Sequence, residues 1–391
     1  MARPKFSVVI PTRNRPKLTK IAVASVLKQT LQDFELVISD NSENEETREA
    51  ISTFDDSRLH YERVEGLSMC DNWEAACDRA QGEYLCLLED KQALKFHALA
   101  RIQQVVEECN PEALRWQWDS LEDYGLGKRI RRNGGRGPVH SLSADEALDT
   151  LVHGSYQDAK HRLPIAHYSA IRRDVLQKIR NAPLGRLFPP VSPDYTLAIQ
   201  ALNYCEEVTY IEEGLVCFSD TTVSNGLSVR MKTGLAKEFA ASLGGDIVFY
   251  DRVPVKARTV SGSIYNDYVM LREELGGRLT KHEPDWPNYF CACYDAIQSS
   301  VVLGVDMDEE LAEWNRALAE QSQELRDETA ARLKSSERRR NSLGRRIRKS
   351  AVVQSATRNA KSLLNSKLLQ REDWRYSEIW SYLEHEASKQ A

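Results

Sequence analysis

Four short stretches carry side chains able to bind or move charge. Thr12-Arg13 follows the apolar run Phe6–Ile10 and Pro11, and Asp40-Asn41-Ser42 ends the run Phe34–Ser39. Glu89-Asp90-Lys91-Gln92 follows Tyr84–Leu88, and Asp194 stands after a proline-rich loop at the start of an apolar helix. In an open α/β sheet, ligands sit outside the carboxyl ends of the strands, where backbone groups and short polar side chains are left without partners. Thr12, Arg13 and Asp40 would lie on that rim, and the quartet after Leu88 is delivered to the same place. A charge cluster at the end of a buried strand costs stability unless something is bound there. The layout is that of a nucleotide site, although an ordinary βαβ unit with solvated loop polars accounts for residues 6–42 equally well. At Asp194, Pro193 fixes the approach, and the free N–H groups of a helix start favour a carboxylate, so capping alone also explains it.

Several elements must position these residues. Between the first two strands, Leu18, Ile21, Ala22, Ser25, Val26 and Leu27 recur near a 3.6 period and predict a crossover helix. EETREAISTF reads as a helix and RLHYERV as a short returning strand. Asp71 or Asn72 can cap a helix that buries Trp73, Ala76, Cys77 and Ala80, with Gly82 ending it. Tyr84–Leu88 is apolar throughout, which suits a central strand covered on both faces. Residues 97–110 predict a helix, ALRWQWDS a strand, GLGKRIRRNGGRGP a basic loop or hairpin, and 143–153 a helix. A strand running into a helix follows in HRLPIAHYSAIRRDVLQKIR, then the Asp194 helix, the strand YIEEGLVCFSD and the turn TTVSNG. Beyond about residue 240 the sheet pattern fades into charged helical sequence carrying Leu311, Trp314, Leu318 and Leu325, then the basic run RRRNSLGRRIRK and a mixed helix over Val352–Leu369.

The 391 residues can bury a full core and divide into one large domain plus an appendage. With 41% hydrophobic and 28% charged residues the composition is globular, and a formal charge of −5 argues against a nucleic-acid binder, whose surface must be basic. The opening MARPKF runs straight into a strand with no apolar segment of signal or membrane-span length, so a cytoplasmic protein is expected. Eight cysteines are scattered without a CxxC pair, and a zinc site is not expected.

On these residues the chain resembles the family 2 glycosyltransferases over roughly residues 5–226. The matching parts are FSVVIPTRNRP with SVLKQT and FELVISDNS, then LSMCDNWEAACDRAQGEYLCLLEDKQAL, then VSPDYTLAIQAL. The resemblance implies the α/β GT-A fold, a mostly parallel central sheet flanked by helices, with a helical C-terminal extension. Residues 1–240 would be the transferase domain, split into a nucleotide-sugar half (1–123) and an acceptor half (124–240), and 241–391 the extension with its basic segment 332–349. It also implies a nucleotide-sugar donor, by default UDP-linked, and a carbohydrate or lipid-linked hydroxyl acceptor in surface polysaccharide or glycan synthesis, with inversion at the sugar carbon.

Carried over by position, Pro11, Thr12, Arg13 and Ser42 would border the nucleotide and Asp40 would hydrogen-bond its base. Asp71 and Asn72 would lie near the sugar and ribose, and Asp194 would be the general base. Asp90 would open the family's Asp-x-Asp motif, but the triplet here is Asp90-Lys91-Gln92. Gln92 offers Mn²⁺ or Mg²⁺ only a carbonyl oxygen, so the divalent metal implied by the family is weakened, and Lys91 or Arg13 would supply part of the positive charge. A non-catalytic nucleotide-sugar-binding module acting in a complex is the alternative. A nucleotidyltransferase would need a glycine-rich, lysine-containing loop after Ile10, which is missing. The basic segment can lie on an anionic membrane face, or be a solvated helix against the enzyme or a second copy in a homo-oligomer.

Overall fold

The computed structural model describes residues 3–123, 128–132, 137–154, 156–219, 250–302, 304–349, 374–375 and 379–389, with isolated positions between 229 and 241. The turn at TTVSNG, the helix over Val352–Leu369, much of the glycine-rich loop and the side chains of 338–349 lie outside the described residues.

The sheet begins with β1 (Phe6–Thr12), α1 (Pro16–Leu27), β2 (Phe34–Asp40), α2 (Glu46–Ile51), β3 (Leu59–Arg63), α3 (Met69–Arg79) and β4 (Tyr84–Leu87). Strands β3, β2, β1 and β4 pair in parallel in that order. Then come β5 (Gln92–Leu94), α4 (Ala98–Cys109), β6 (Ala113–Asp123), β7 (Lys128–Arg131), β8 (Val139–Ser143), α5 (Ala144–His153), α6 (Tyr156–Arg162), β9 (Ser169–Arg172), α7 (Arg173–Arg180), α8 (Pro193–Tyr204) and β10 (Glu207–Ser219). Antiparallel β9 sits between β4 and β6, and β10 pairs in parallel with β6, so the six long-range members β1 to β4, β6 and β10 run one way. Short β5 and β8 pair antiparallel with β10, and short β7 with β6. The fold is the mixed α/β GT-A type.

Strand alternation builds the two cores. Val9, Val37, Leu85 and Leu87 point to a layer with α3, α5, α7 and α8, while Val8, Ile10, Leu36, Ile38 and Cys86 point to the opposite layer with α1 and α4. All of β1, β2 and β4 is buried, as their mainly apolar runs predict, and the buried Ser7 hydroxyl donates to the buried Glu35 between β1 and β2. Pro16 opens α1, where a missing N–H costs nothing.

Two local expectations are corrected. Ser68 caps α3, its Oγ accepting from Asp71 N at 3.1 Å, because the cap must precede the first helical residue. Asp71 is therefore inside the first turn. The helix ends at Arg79, and Gly82 is no helix terminator: a Cβ there would lie 2.5 Å from Ser7 N, so close passage beside β1 requires glycine.

The extension does not start as a separate appendage. Its first helix, α9 (Val260–Leu275), puts Ile264, Tyr268, Val269 and Leu271 into the same core as Leu197, Ala198 and Ala201 of α8. Helices α10 (Trp286–Val302), α11 (Asp308–Ala319) and α12 (Gln323–Lys349) build their own cluster, including Phe290, Ile297, Trp314 and Ala317. The chain then returns: β11 (Trp374–Arg375) pairs with β7, and α13 (Ile379–Ser388) lays Ile379, Tyr382 and Leu383 on Ala93, Leu121 and Cys217. That contact surrounds a buried polar knot in which Lys95 Nζ meets Asp119 at 2.7 Å and the Tyr382 hydroxyl donates to Asp119 at 2.6 Å. Among the described residues no helix is long and apolar enough to cross a membrane.

Candidate active site

The site grows from the carboxyl end of β1. Thr12 Oγ1 donates to Asp90 Oδ2 at 3.0 Å, and Arg15 Nη1 reaches the other oxygen at 2.9 Å. Asn72 Nδ2 donates to Thr12 O at 3.3 Å, which ties α3 to the same point. Burial raises the Asp90 carboxyl above its ordinary range, with Arg15 and Thr12 opposing that shift.

β4 ends at Leu87, and residues 89–92 form a turn closed twice, by Gln92 N donating to Glu89 O at 2.9 Å and by Glu89 N donating to Gln92 Oε1 at 3.1 Å. Strand alternation therefore no longer governs Glu89, contrary to what the sequence implies. While Asp90 turns to Thr12 and Arg15, Glu89 pairs with Lys91 Nζ at 3.3 Å and lies in the field of His167. Burial pushes the Glu89 carboxyl up, but Lys91, His167 and Arg15 outweigh it and hold it below the usual range. Lys91 is 7% exposed, with Nζ 5.1 Å from the centre of the Phe218 ring.

Across from this turn, Asp194 Oδ2 stands 4.0 Å from His167 Nδ1, and the carboxylate keeps 26% exposure. Burial raises the Asp194 carboxyl, His167 counteracts and Glu89 adds to the rise. Burial also lowers the His167 imidazole, with Glu89 and Asp194 opposing that shift. The loop before α8 is clamped from two directions. From α3, Arg186 pairs with Asp71 at 2.7 Å, Glu74 accepts from Phe188 N at 2.6 Å, and Trp73 meets the Phe188 ring edge-on. From α9, Asp267 accepts from Val191 N at 3.0 Å and Ser192 N at 2.7 Å, and burial pushes its carboxyl up to about 7.

Thr12, Asn72, Asp90, Lys91 and Gln92 are thus brought together at the strand ends, with Asp194 linked to them through Glu89 and His167. Among the described residues, three of the buried polar atoms there make no hydrogen bond: Asn72 Oδ1, Gln92 Nε2 and His167 Nδ1. They are groups that a polar ligand satisfies. Other expected residues stand differently. Asp40 is fully buried, one oxygen taking the Tyr61 hydroxyl at 2.7 Å and the other Ser42 N at 3.0 Å, so it braces the loop after β2. Asp71 accepts from Ser68 and Arg186, and so also clamps the acceptor-side loop. Ser42 Oγ accepts from Asn14 N at 2.8 Å. Pro11 is buried in β1 opposite Ser39, and Arg13 pairs with Glu43 at the exposed rim.

The donor set fits a divalent cation poorly. Mn²⁺ and Mg²⁺ take several oxygen ligands, whereas Asp90 is ion-paired and the Gln92 oxygen closes its own turn. Among the described residues no group of three His, Cys, Asp or Glu side chains is placed to hold a metal ion.

Sequence reasoning missed Arg15, His167 and Asp267 as site residues. Arg15 lies two positions beyond Arg13 and had a readable signal in TRNRP. A lone histidine in IAHYS and an aspartate far along in a helical extension had none.

This geometry gathers polar and charged side chains at the carboxyl ends of the strands of a GT-A sheet. Residues 7–180 match the family model for Glycosyl transferase family 2, and this part of the chain is a family 2 glycosyltransferase domain. A Campylobacter jejuni relative named GalNAc(5)-diNAcBac-PP-undecaprenol beta-1,3-glucosyltransferase is 30% identical over 109 residues, 27% of this chain and 35% of that protein. A Mycobacterium bovis relative named PGL/p-HBAD biosynthesis glycosyltransferase is 31% identical over 118 residues, 29% of this chain and 46% of that protein. The chain spans under half the length of these relatives. Among solved structures, S. aureus TarS 1-349 in complex with UDP-GlcNAc is similar at 14% identity and a TM-score of 0.46, covering 85% of this chain and 92% of that one.

Proposed function

We propose that the protein transfers a sugar from a nucleotide-diphosphate donor to a hydroxyl acceptor by in-line displacement with inversion. Asp194 takes the acceptor proton as the hydroxyl oxygen attacks the sugar carbon from the face opposite the leaving diphosphate. A carboxyl raised by burial is a stronger base than an exposed one, and its remaining exposure leaves an approach for the alcohol. The observation that carries this reading is the path from Asn72 through Thr12 and Asp90 to the Glu89 turn, and on to His167 and Asp194. It runs from the strand ends, where the nucleotide diphosphate is proposed to sit, to a carboxylate and an imidazole 4.0 Å apart.

UDP is the proposed nucleotide, on family resemblance. The acceptor is proposed to be a lipid-linked glycan, because the C. jejuni relative's name contains a diphosphate-linked polyprenol. A peripheral membrane contact through residues 332–349 would serve such an acceptor, although Arg332 itself is held by Asp285 at 2.7 Å. The test is a donor panel with the purified full chain, scoring release of UDP, GDP and dTDP from their sugars for the wild type and Asp194→Asn. The variant is expected to bind nucleotide as the wild type does and to lose transfer. Equal turnover in both overturns the reading.

A further inference from the structure

Resting on the glycosyl-transfer reading above, we infer that the donor diphosphate is met by the Lys91 ammonium in place of a divalent metal ion, so that this chain works without metal.

Three observations support the assignment. The first is the commitment of the oxygen ligands: both Asp90 oxygens are used by Thr12 and Arg15, and Gln92 Oε1 accepts from Glu89 N. The second is the placement of Lys91. It occupies the middle of the turn that joins β4 to β5, its backbone fixed by the double closure between residues 89 and 92. Its side chain is nearly enclosed, and Glu89 at 3.3 Å is the carboxylate the described residues give it. An ammonium has three N–H donors, and a buried one is costly unless they are satisfied. An anionic oxygen entering the cleft completes that shell. The third is the division of charge within the turn. Asp90 is held by Thr12 and by a cation of its own, Arg15, whereas Glu89 and Lys91 pair with each other, with Lys91 Nζ 5.1 Å from the Phe218 ring centre. The ammonium is therefore fixed in the turn beside Glu89, where it already supplies the positive charge that a dication would bring to that carboxylate.

The step balances without metal. The acceptor oxygen forms its bond to the sugar carbon and its proton passes to Asp194. The bond from that carbon to the diphosphate oxygen breaks, and the leaving nucleoside diphosphate takes the electron pair. Lys91 stays protonated throughout, its N–H groups donating to the oxygen on which charge develops. Removing one preorganised donor of this kind costs about 10²–10³-fold in kcat.

The experiment uses the full chain, stripped with EDTA. Nucleoside diphosphate binding (UDP, GDP, dTDP) is measured by calorimetry, and transfer is measured with the matching sugar donors, each with EDTA or with Mn²⁺. The wild type is expected to bind and to turn over equally in both. Lys91→Met is expected to lose about 10²–10³-fold in kcat, and Lys91→Arg to recover part of that loss. Lys91→Asp is expected to gain a dependence on Mn²⁺ that the wild type lacks. Wild-type binding or turnover that disappears in EDTA and returns with Mn²⁺ overturns the inference, as does a Lys91→Met variant that remains fully active. The outcomes for the two claims separate. Metal-dependent transfer that still needs Asp194 leaves the glycosyl-transfer reading standing and removes this one, whereas failure to bind any nucleoside diphosphate removes both.

Discussion

On the donor side of the cleft, Thr12, Arg15, Asn72 and Asp90 are tied to one another within 3.3 Å, whereas on the acceptor side Asp194 and His167 stand 4.0 Å apart with the imidazole Nδ1 unbonded. The first arrangement is a scaffold: its carboxylate is already compensated, so it holds backbone and loops in place. The second holds uncompensated groups, which is what a proton-transfer step requires. A carboxylate's value in this cleft is therefore set by whether the protein has already paired it.

The sharpest way to break this contrast is Asp194→Asn. Transfer is expected to fall by about 10²–10⁴-fold while UDP binding, read by calorimetry, changes by less than about twofold. A loss of binding instead would place Asp194 on the scaffold side. Arg15→Ala should act in the opposite way, leaving Asp90 buried without its cation. Because Arg15 keeps 26% exposure, water screens part of the effect, and a loss of about 1–3 kcal/mol is expected from urea unfolding. An unchanged midpoint would show that the pair carries no structural load.

Asp267 tests how the scaffold reaches the base. Its carboxyl is raised to about 7, so the folded state binds its proton more tightly than the unfolded chain does. Stability should therefore fall as pH rises from about 4 to about 7 and level off above that. In Asp267→Asn this part of the slope should vanish, as measured by unfolding midpoints across that range. A slope retained in the variant would assign it to other groups.

The pH dependence of transfer sharpens the acceptor side. Asp194 must be ionised to act and burial has raised its carboxyl, so kcat should climb with pH through a limb above the ordinary carboxylate range. His167 opposes that rise, so His167→Gln should move the limb to higher pH. An unmoved limb would mean the two groups are uncoupled. The smallest change is expected for Arg13→Ala, whose pair with Glu43 is exposed: a stability shift within about 0.5 kcal/mol, with any effect confined to KM.

Much of the scaffold was legible in the sequence. Runs such as Phe6–Ile10 and Tyr84–Leu88 announce strands buried on both faces, because a mainly apolar run satisfies two covering layers. Pro193-Asp194 announces a helix start by the chemistry of its free N–H groups. Less legible were the roles within the turn after β4. Position alone favours Asp90 as the ligand-facing carboxylate and sends Glu89 to the other face. In the folded chain the strand stops at Leu87 and a turn follows, so alternation no longer places these side chains.

By itself, then, the sequence determined the order of strands and helices, the rim on which polar residues gather and the family to which residues 7–180 belong. Tertiary structure decided which carboxylates are spent on bracing and which remain for chemistry. Arg15, His167 and Asp267 reach the cleft from three distant parts of the chain, and Asp267 does so from a helix that the pattern assigns to an appendage. Local periodicity reports which face of an element is buried. It carries no information on which distant charge will lie against that face, and that pairing sets whether an acid in this cleft is a strut or a base.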